Sequence, residues 1–443
     1  MWKTRKGALL AAGAALFVLS CGGSDSPSTP TAAAGADCST AGQVDFVRTT
    51  LNAWYFWYQQ LPNPDPAGFT SPEAYLDAVR YRPLDTTFSY VANKADSQAF
   101  FSDSQFVGFG IRTTLAGTDD FRVADVFAGS PAAAIGLDRG SRFLEINGQS
   151  IASLVSSNQL GSVFGPAQVG VTSRVHFIDR GGAEHDATMT KALVTIPTVA
   201  VTETYRTGGS TVGYVLFQNF VTPSNAALDA AFGQLRDAGA EELVLDLRYN
   251  GGGLISVAQH LAGLIGGAPT ANQTFVRFIH NDKQSARNST LPIPTVANAL
   301  GVKRLVVIAT RSSASASELV VNGLRPYMEV TIVGDRTYGK PVGQYSFDFC
   351  DKTLFPVSFS TRNASDQGDY FDGLPANCAA DDDLGHALGD PDEGSLGAAL
   401  DYIRSGRCNA TAAARAHAQS LGRPPLALQP HRGDGWKELV GAF

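Results

Sequence analysis

The sequence predicts a multi-domain α/β protein with a helical N-terminal segment, a β-rich α+β module and a larger α/β core. Three observations carry that prediction. The 443-residue chain is long enough for two or three domains, each with a core of its own. From about Gln105 the pattern turns to short strands bounded by glycine turns, and from residue 193 strand and helix alternate. Within that alternation Glu242–Arg248 is almost continuously apolar, as in a strand covered on both faces of its sheet.

Lys3, Arg5 and Lys6 precede an apolar run from Ala8 to Leu19 that is too short to span a bilayer, the pattern of a secretory signal. Its end, Val18-Leu19-Ser20-Cys21-Gly22, resembles a bacterial lipobox. The resemblance implies that residues 1–20 are a lipoprotein signal peptide and that Cys21 is lipidated; a plain signal peptide cut nearby is the alternative. Gly22 stands where an aspartate would retain a lipoprotein in the inner membrane. By analogy the expected place is the cell envelope, on an outer membrane facing the periplasm if the cell is Gram-negative. Residues 21–36, built from Gly, Ser, Pro, Thr and Ala, read as a flexible linker. Residues 37–104 read as mostly helical, with Phe46, Leu51, Trp54, Tyr55 and Trp57 as a packing stripe.

Next come strands at Phe106–Ile111 and Arg122–Phe127, a short helix opened by Ser130-Pro131 and closed by Gly136, and the strand Phe143–Ile146 turning at Asn147-Gly148. This run, over residues 105–192, resembles a PDZ domain. By that resemblance the amides of Phe109, Gly110 and Ile111 would hold the carboxylate of a peptide added to a sheet edge; use of the fold as a spacer is the alternative. Residues 193–404 form the α/β core. Its strands are Gly213–Leu216, Glu242–Arg248, Arg304–Ala309 and Glu329–Val333, and its helices are Asn225–Ala238, Leu254–Leu264 and one ending near Leu324. Residues 405–443 are a C-terminal tail.

The chain carries 34 basic and 41 acidic residues, a net of −7; loss of residues 1–20 leaves 31 against 41, a net of −10. With no basic run, there is no footprint for nucleic acid. Four cysteines remain after Cys21, an even number that suggests disulfides in an exported chain. Proximity in sequence favours Cys350–Cys378, which leaves Cys38–Cys408. No histidines pair at ligand spacing, so neither a metal nor an organic cofactor is implied. Asp381–Asp383 lacks the glycine-centred loop of an EF-hand and reads as a solvated acidic loop.

Three strand ends carry candidate chemistry. Tyr249-Asn250-Gly251-Gly252-Gly253 offers backbone amides that can approach a substrate closely. Ser312-Ser313-Ala314-Ser315-Ala316-Ser317-Glu318 lies where a strand runs into a helix, whose first amides can face a developing oxyanion. Thr337-Tyr338-Gly339-Lys340 adds a lysine beside Tyr338, Pro341 and Val342. A serine hydroxyl needs an adjacent base, and lysine serves only when neutral. At an ordinary pKa near 10.4 about one amine in 2,500 is neutral at pH 7, so the lysine must be buried.

Together these segments resemble the carboxyl-terminal processing (tail-specific) proteases, peptidase family S41, over about residues 105–345. The resemblance implies an α/β core of the ClpP/crotonase-like type and a Ser/Lys serine endopeptidase. Ser315 would be the nucleophile, Lys340 the base and Gln344 its positioner, with Gly253 and Ala316 supplying oxyanion amides. Ser313 and Ser317 would be helix-start and packing residues. The chain departs from the family in Gly251, where many members have proline, and in Pro341-Val342-Gly343 before Gln344. Expected partners are proteins or peptides with apolar C-termini and, through Cys21, a membrane; no adaptor or activator is identified. A scaffold lipoprotein binding protein C-termini without catalysis is the alternative. The chain's own apolar end, Leu439–Phe443, would suit such a module, and Arg432-Gly433-Asp434 reads as an incidental tripeptide.

Overall fold

Strands that are apolar on both faces need cover on both, and here they receive it. In the computed structural model, which describes residues 37–116 and 118–408, the central sheet has six strands. Their order is Val199–Thr207, Ser210–Phe217, Glu242–Asp246, Arg304–Ala309, Glu329–Gly334 and Cys378–Ala379, parallel except for the first hairpin. Leu243, Val244, Leu245 and Val306 to Ile308 are fully buried. The helices Ser224–Asp237, Ile255–Gly266 and Ala316–Leu324 lie against one face, while Gly394–Ser405 packs on the other with Val212, Tyr214 and Val333. Lipidation at Cys21, the residue 21–36 linker and the chain end beyond 408, with Arg432–Asp434 and Leu439–Phe443, lie outside the described residues. Among the described residues no helix is long and apolar enough to cross a membrane.

The N-terminal segment packs into the same core: Val47, Leu51 and Tyr55 join Phe217, Phe220 and Leu261. Its helices are Thr40–Trp54, Pro72–Val79 and Lys94–Asp103. The second begins as its sequence dictates, with the Ser71 side chain accepting from Ala74 N, Pro72 in the first turn and Glu73 at the positive end of the helix dipole. Tyr90–Asn93 is a strand rather than helix; it pairs with Lys352–Phe355 in a three-stranded sheet completed by Phe347–Phe349. Residues 105–195 form a separate β-rich module with its own apolar core around Phe109, Phe121, Phe143 and Phe177, closed by the ribbon Gln105–Gly108 with Ala192–Thr195. Its strand Ile111–Ala116 is a sheet edge.

The disulfides are Cys38–Cys350 and Cys378–Cys408, correcting the pairing expected from proximity in sequence. Cys350 sits at the tip of the Phe347–Phe349/Lys352–Phe355 hairpin, which reaches the first helix, where Phe349 stacks on Phe46 at 4.7 Å. Cys378 lies in another sheet, at the edge of the central one, and meets the chain just after the Gly394–Ser405 helix. Residues 28 apart along the chain thus belong to different layers, and a staple can join only α-carbons that approach, here to 5.8 and 5.2 Å.

Candidate active site

Three adjacent parallel strands, Glu242–Asp246, Arg304–Ala309 and Glu329–Gly334, deliver the three candidate segments to one end of the sheet. The carboxyl ends of parallel strands are where open α/β sheets bind ligands. Ser315 heads the Ala316–Leu324 helix with φ 55° and ψ −113°, a conformation rare outside glycine and held only where neighbours over-determine it. Those neighbours are explicit. Ser315 N donates to Glu318 Oε2 at 2.9 Å, and Ser313 Oγ donates to Leu247 O at 2.6 Å. Ser317 Oγ and Ala314 N both donate to Asn250 O, at 2.9 and 3.0 Å. The two flanking serines therefore bolt the helix start to the chain at Leu247 and to the glycine loop that follows it.

That loop cannot accept side chains. A Cβ on Gly252 (φ 97°) would stand 2.7 Å from Ala316 N and 2.8 Å from Ser315 Cβ. One on Gly253 (φ 138°) would stand 2.1 Å from Phe220 O. Asn250 shapes the turn by accepting from Gly252 N at 2.9 Å while its Nδ2 donates to Phe217 O at 2.8 Å. Gly253 and the first helical amide, at Ala316, border the cavity beside Ser315.

Lys340 is buried, 3% exposed. Burial lowers its pKa to about 8, against the opposing pull of Asp85 and Glu318. Its Nζ donates to Gln344 Oε1 at 2.6 Å and lies 5.9 Å from the centre of the Phe88 ring. Gln344 Nε2 in turn donates to Phe88 O (2.5 Å) and Phe355 O (3.0 Å), so the N-terminal segment fixes the lysine's partner. After Pro341, Val342 and Gly343 form the start of a strand, Val342–Gln344, that keeps Gln344 within reach. Tyr338, expected beside the amine, instead faces outward and bonds Thr87 Oγ1 at 3.0 Å.

Ser315, Ala316, Gly253, Lys340 and Gln344 line one cavity of about 450 Å³, whose apolar wall includes Phe278, Leu291, Leu319, Val342 and Phe359. Such a site can hold a polypeptide with an apolar side chain buried beside a hydroxyl and an amine. Phe109, Gly110 and Ile111 do not border this cavity. They lie in the β-rich module, Phe109 and Ile111 buried, and the Phe109 and Gly110 carbonyls accept from Ala132 N and Phe127 N.

Glu318 was visible only as part of a helix-start pattern, yet it joins the two reactive segments. It is fully buried and accepts from Ser315 N, Thr337 Oγ1 (2.5 Å), Gly339 N (2.7 Å) and Lys340 N (2.8 Å). A serine followed three residues later by a glutamate is the signal that could have found it. Asp381–Asp383 is not simply a solvated loop. Asp382 accepts from Arg139 Nη2 (2.6 Å), Arg248 Nη1 (3.1 Å) and the Tyr249 hydroxyl. Nothing in the local sequence announces those partners.

The model of "Peptidase family S41" matches residues 211–374 and that of "Peptidase S41 N-terminal domain" matches residues 42–90. A carboxyl-terminal-processing protease of Synechocystis is 28% identical over 236 residues, 53% of this chain and 52% of that protein. A Staphylococcus saprophyticus protein described as a CtpA-like serine protease is 26% identical over 62% of this chain and 53% of its own length. This chain thus spans about half the length of these curated relatives. Among solved structures, one from Bacteroides fragilis, assigned to the S41 proteases, superposes with a TM-score of 0.66 at 25% identity, covering 82% of this chain and 97% of that one. The photosystem II D1 C-terminal processing protease shares the fold at a TM-score of 0.50 and 19% identity, covering 83% and 98%.

Proposed function

We propose that the chain, whose residues 211–374 match the peptidase S41 family and whose residues 42–90 match its N-terminal domain, is a serine endopeptidase of the bacterial cell envelope working through Ser315 and Lys340. Ser315 Oγ attacks the scissile carbonyl as its proton passes to neutral Lys340 Nζ, and the amides of Gly253 and Ala316 receive the oxyanion. The ammonium returns the proton to the leaving amine, and water activated by the same lysine releases the acyl group. Gln344 holds the amine toward the cavity. The observation that carries this reading is a buried lysine, its pKa near 8, lining the same cavity as a serine held at positive φ.

The finer reading is that the 105–192 module is a PDZ domain that captures apolar C-termini along its edge strand, with Phe109–Ile111 at the carboxylate. Cys21 would anchor the chain in the outer membrane, facing the periplasm. The test compares the full-length chain with Ser315→Ala and Lys340→Ala on an unfolded protein ending in an apolar tail. Cleavage by the parent and by neither variant is expected. Equal cleavage by all three would remove Ser315 and Lys340 from the site, and tail binding without cleavage by any would favour a scaffold.

A further inference from the structure

Tyr249 is the residue that leads the chain into the glycine loop, and it too has positive φ, at 61°. An aromatic residue adopts that conformation only when something holds it. Part of what holds it comes from outside the core. Arg139, in the β-rich module, is buried and uses its whole guanidinium fork. Nη1 donates to Ala124 O of its own module (2.5 Å) and to the Tyr249 hydroxyl (2.9 Å). Nη2 donates to Asp382 Oδ1 (2.6 Å) and Asp383 O (3.1 Å), and Nε to His386 O (3.0 Å). The Tyr249 hydroxyl completes the ring by donating to Asp382 Oδ2.

The consequence runs one residue further. Asn250, next in the chain, carries the carbonyl that anchors Ala314 and Ser317 on either side of Ser315, and the side chain that fixes Gly252. A second module contact meets the loop's other wall. Arg112 and Asp125 both bond Gln218, two residues before Phe220, whose backbone pairs with Gly252 O and Leu254 N. The module thus grips both supports of the glycine loop.

We infer that Arg139, Asp382 and Tyr249 are positioning residues, a clasp through which the β-rich module sets the register of the Gly252-Gly253 amides against Ser315. This rests on the endopeptidase reading above. The clasp touches no substrate, so its loss acts on the chemical step rather than on binding. The seating of the module thereby becomes a control on turnover.

The test uses the full-length chain and an internally quenched octapeptide that the parent cleaves. Tyr249→Phe removes one oxygen; Arg139→Lys keeps the charge but loses the fork. In each variant kcat should fall about tenfold or more with KM within about twofold, the pattern of an interaction made only in the transition state. The double variant should fall no further than the worse single one, because both break the same clasp. Unchanged kcat, a loss confined to KM, or additive losses would overturn the clasp. So would a Tyr249→Phe chain that melts before it can be assayed, which would assign the hydroxyl to stability. A parent whose turnover survives Ser315→Ala fails differently, since it removes the underlying reading before any variant is compared.

Discussion

Two carboxylates support the segments around Ser315, Glu318 fully buried and Asp382 partly exposed, and they are satisfied in opposite ways. Glu318 is surrounded by uncharged donors, three amides and a hydroxyl, with no arginine among them. Burial raises its pKa, and those four hydrogen bonds only partly offset the rise. Asp382 sits between two guanidinium groups; burial acts to raise it as well, but Arg139 and Arg248 hold it below the usual carboxylate range. Arg248 is itself pulled down by burial and lifted further by Asp246 and Glu393, in a cluster where every charge has a counter-charge. The difference teaches where reactivity can reside. On the Asp382 side the ion pairs are complete and the charges inert. On the Glu318 side the carboxylate is engaged by amides, and the lysine is left beside a neutral glutamine with its amine poised to lose a proton.

The largest effect that can test this contrast is on the lysine. At pH 7 a pKa near 8 leaves about one amine in ten neutral, several hundred times more than an exposed lysine allows. We expect kcat/KM to rise about tenfold per pH unit up to about pH 8 and then level. Lys340→Met should lower it by about 10⁴-fold or more, the scale on which removing a general base acts. The sign for stability follows from the same shift. Between about 8 and 10.5 the unfolded chain binds a proton that the native site rejects, so native stability rises with pH across that window, and Lys340→Met should abolish the rise. A pH limb centred near 10 would mean that the amine is hydrated and the contrast false.

On the Asp382 side a break should appear first in stability. Arg248→Met strands Asp246 and Glu393 without their counter-charge and should cost about 3–5 kcal/mol, read from the denaturant midpoint. Glu318→Gln sharpens the comparison from the other direction. An amide can accept at one atom only, so its NH₂ must face either Ser315 N and Lys340 N or Thr337 Oγ1 and Gly339 N. We expect about 2–3 kcal/mol of lost stability, together with a fall in kcat, because both reactive segments lose their common anchor. A melting temperature equal to that of the parent would show that the carboxylate is protonated in the native state.

How much of this was legible in the sequence follows the same division. The Arg304–Ala309 strand and the end of the following helix at Leu324 lie where apolar patterning put them, because a two-sided parallel strand leaves a continuous apolar run. The segments that hold Ser315 and Lys340 could be singled out because they follow strand ends in short motifs, and local order along the chain survives folding; the choice of Ser315 among its neighbouring serines, and of Gln344, rests on the family resemblance. Contacts across the chain leave no such trace. Arg139 and Asp382 are 243 residues apart, and neither stands in a motif. Phe88, which holds Gln344, sits in a segment read only as helical packing. The expected disulfide pairing differs from the observed one for the same reason: nearness along the chain does not fix nearness in space.

The smallest effect belongs to the rim of the clasp. His386 lends its carbonyl to Arg139, while its ring bonds Asp383 at 2.6 Å with both side chains partly exposed. The Asp383 hydrogen bond and charge raise the His386 pKa above its ordinary 6.5. A raised histidine stabilises the fold fully below 6.5 and loses that contribution as pH climbs through the folded value. His386→Asn should therefore lower the melting temperature slightly at pH 6 and leave it unchanged at pH 8.5. Because the Arg139 contact uses only the backbone carbonyl, turnover at pH 8.5 should match the parent. A deficit that persists at pH 8.5 would mean that the ring packs the Asp382 loop in place, and the clasp would then depend on shape as well as charge.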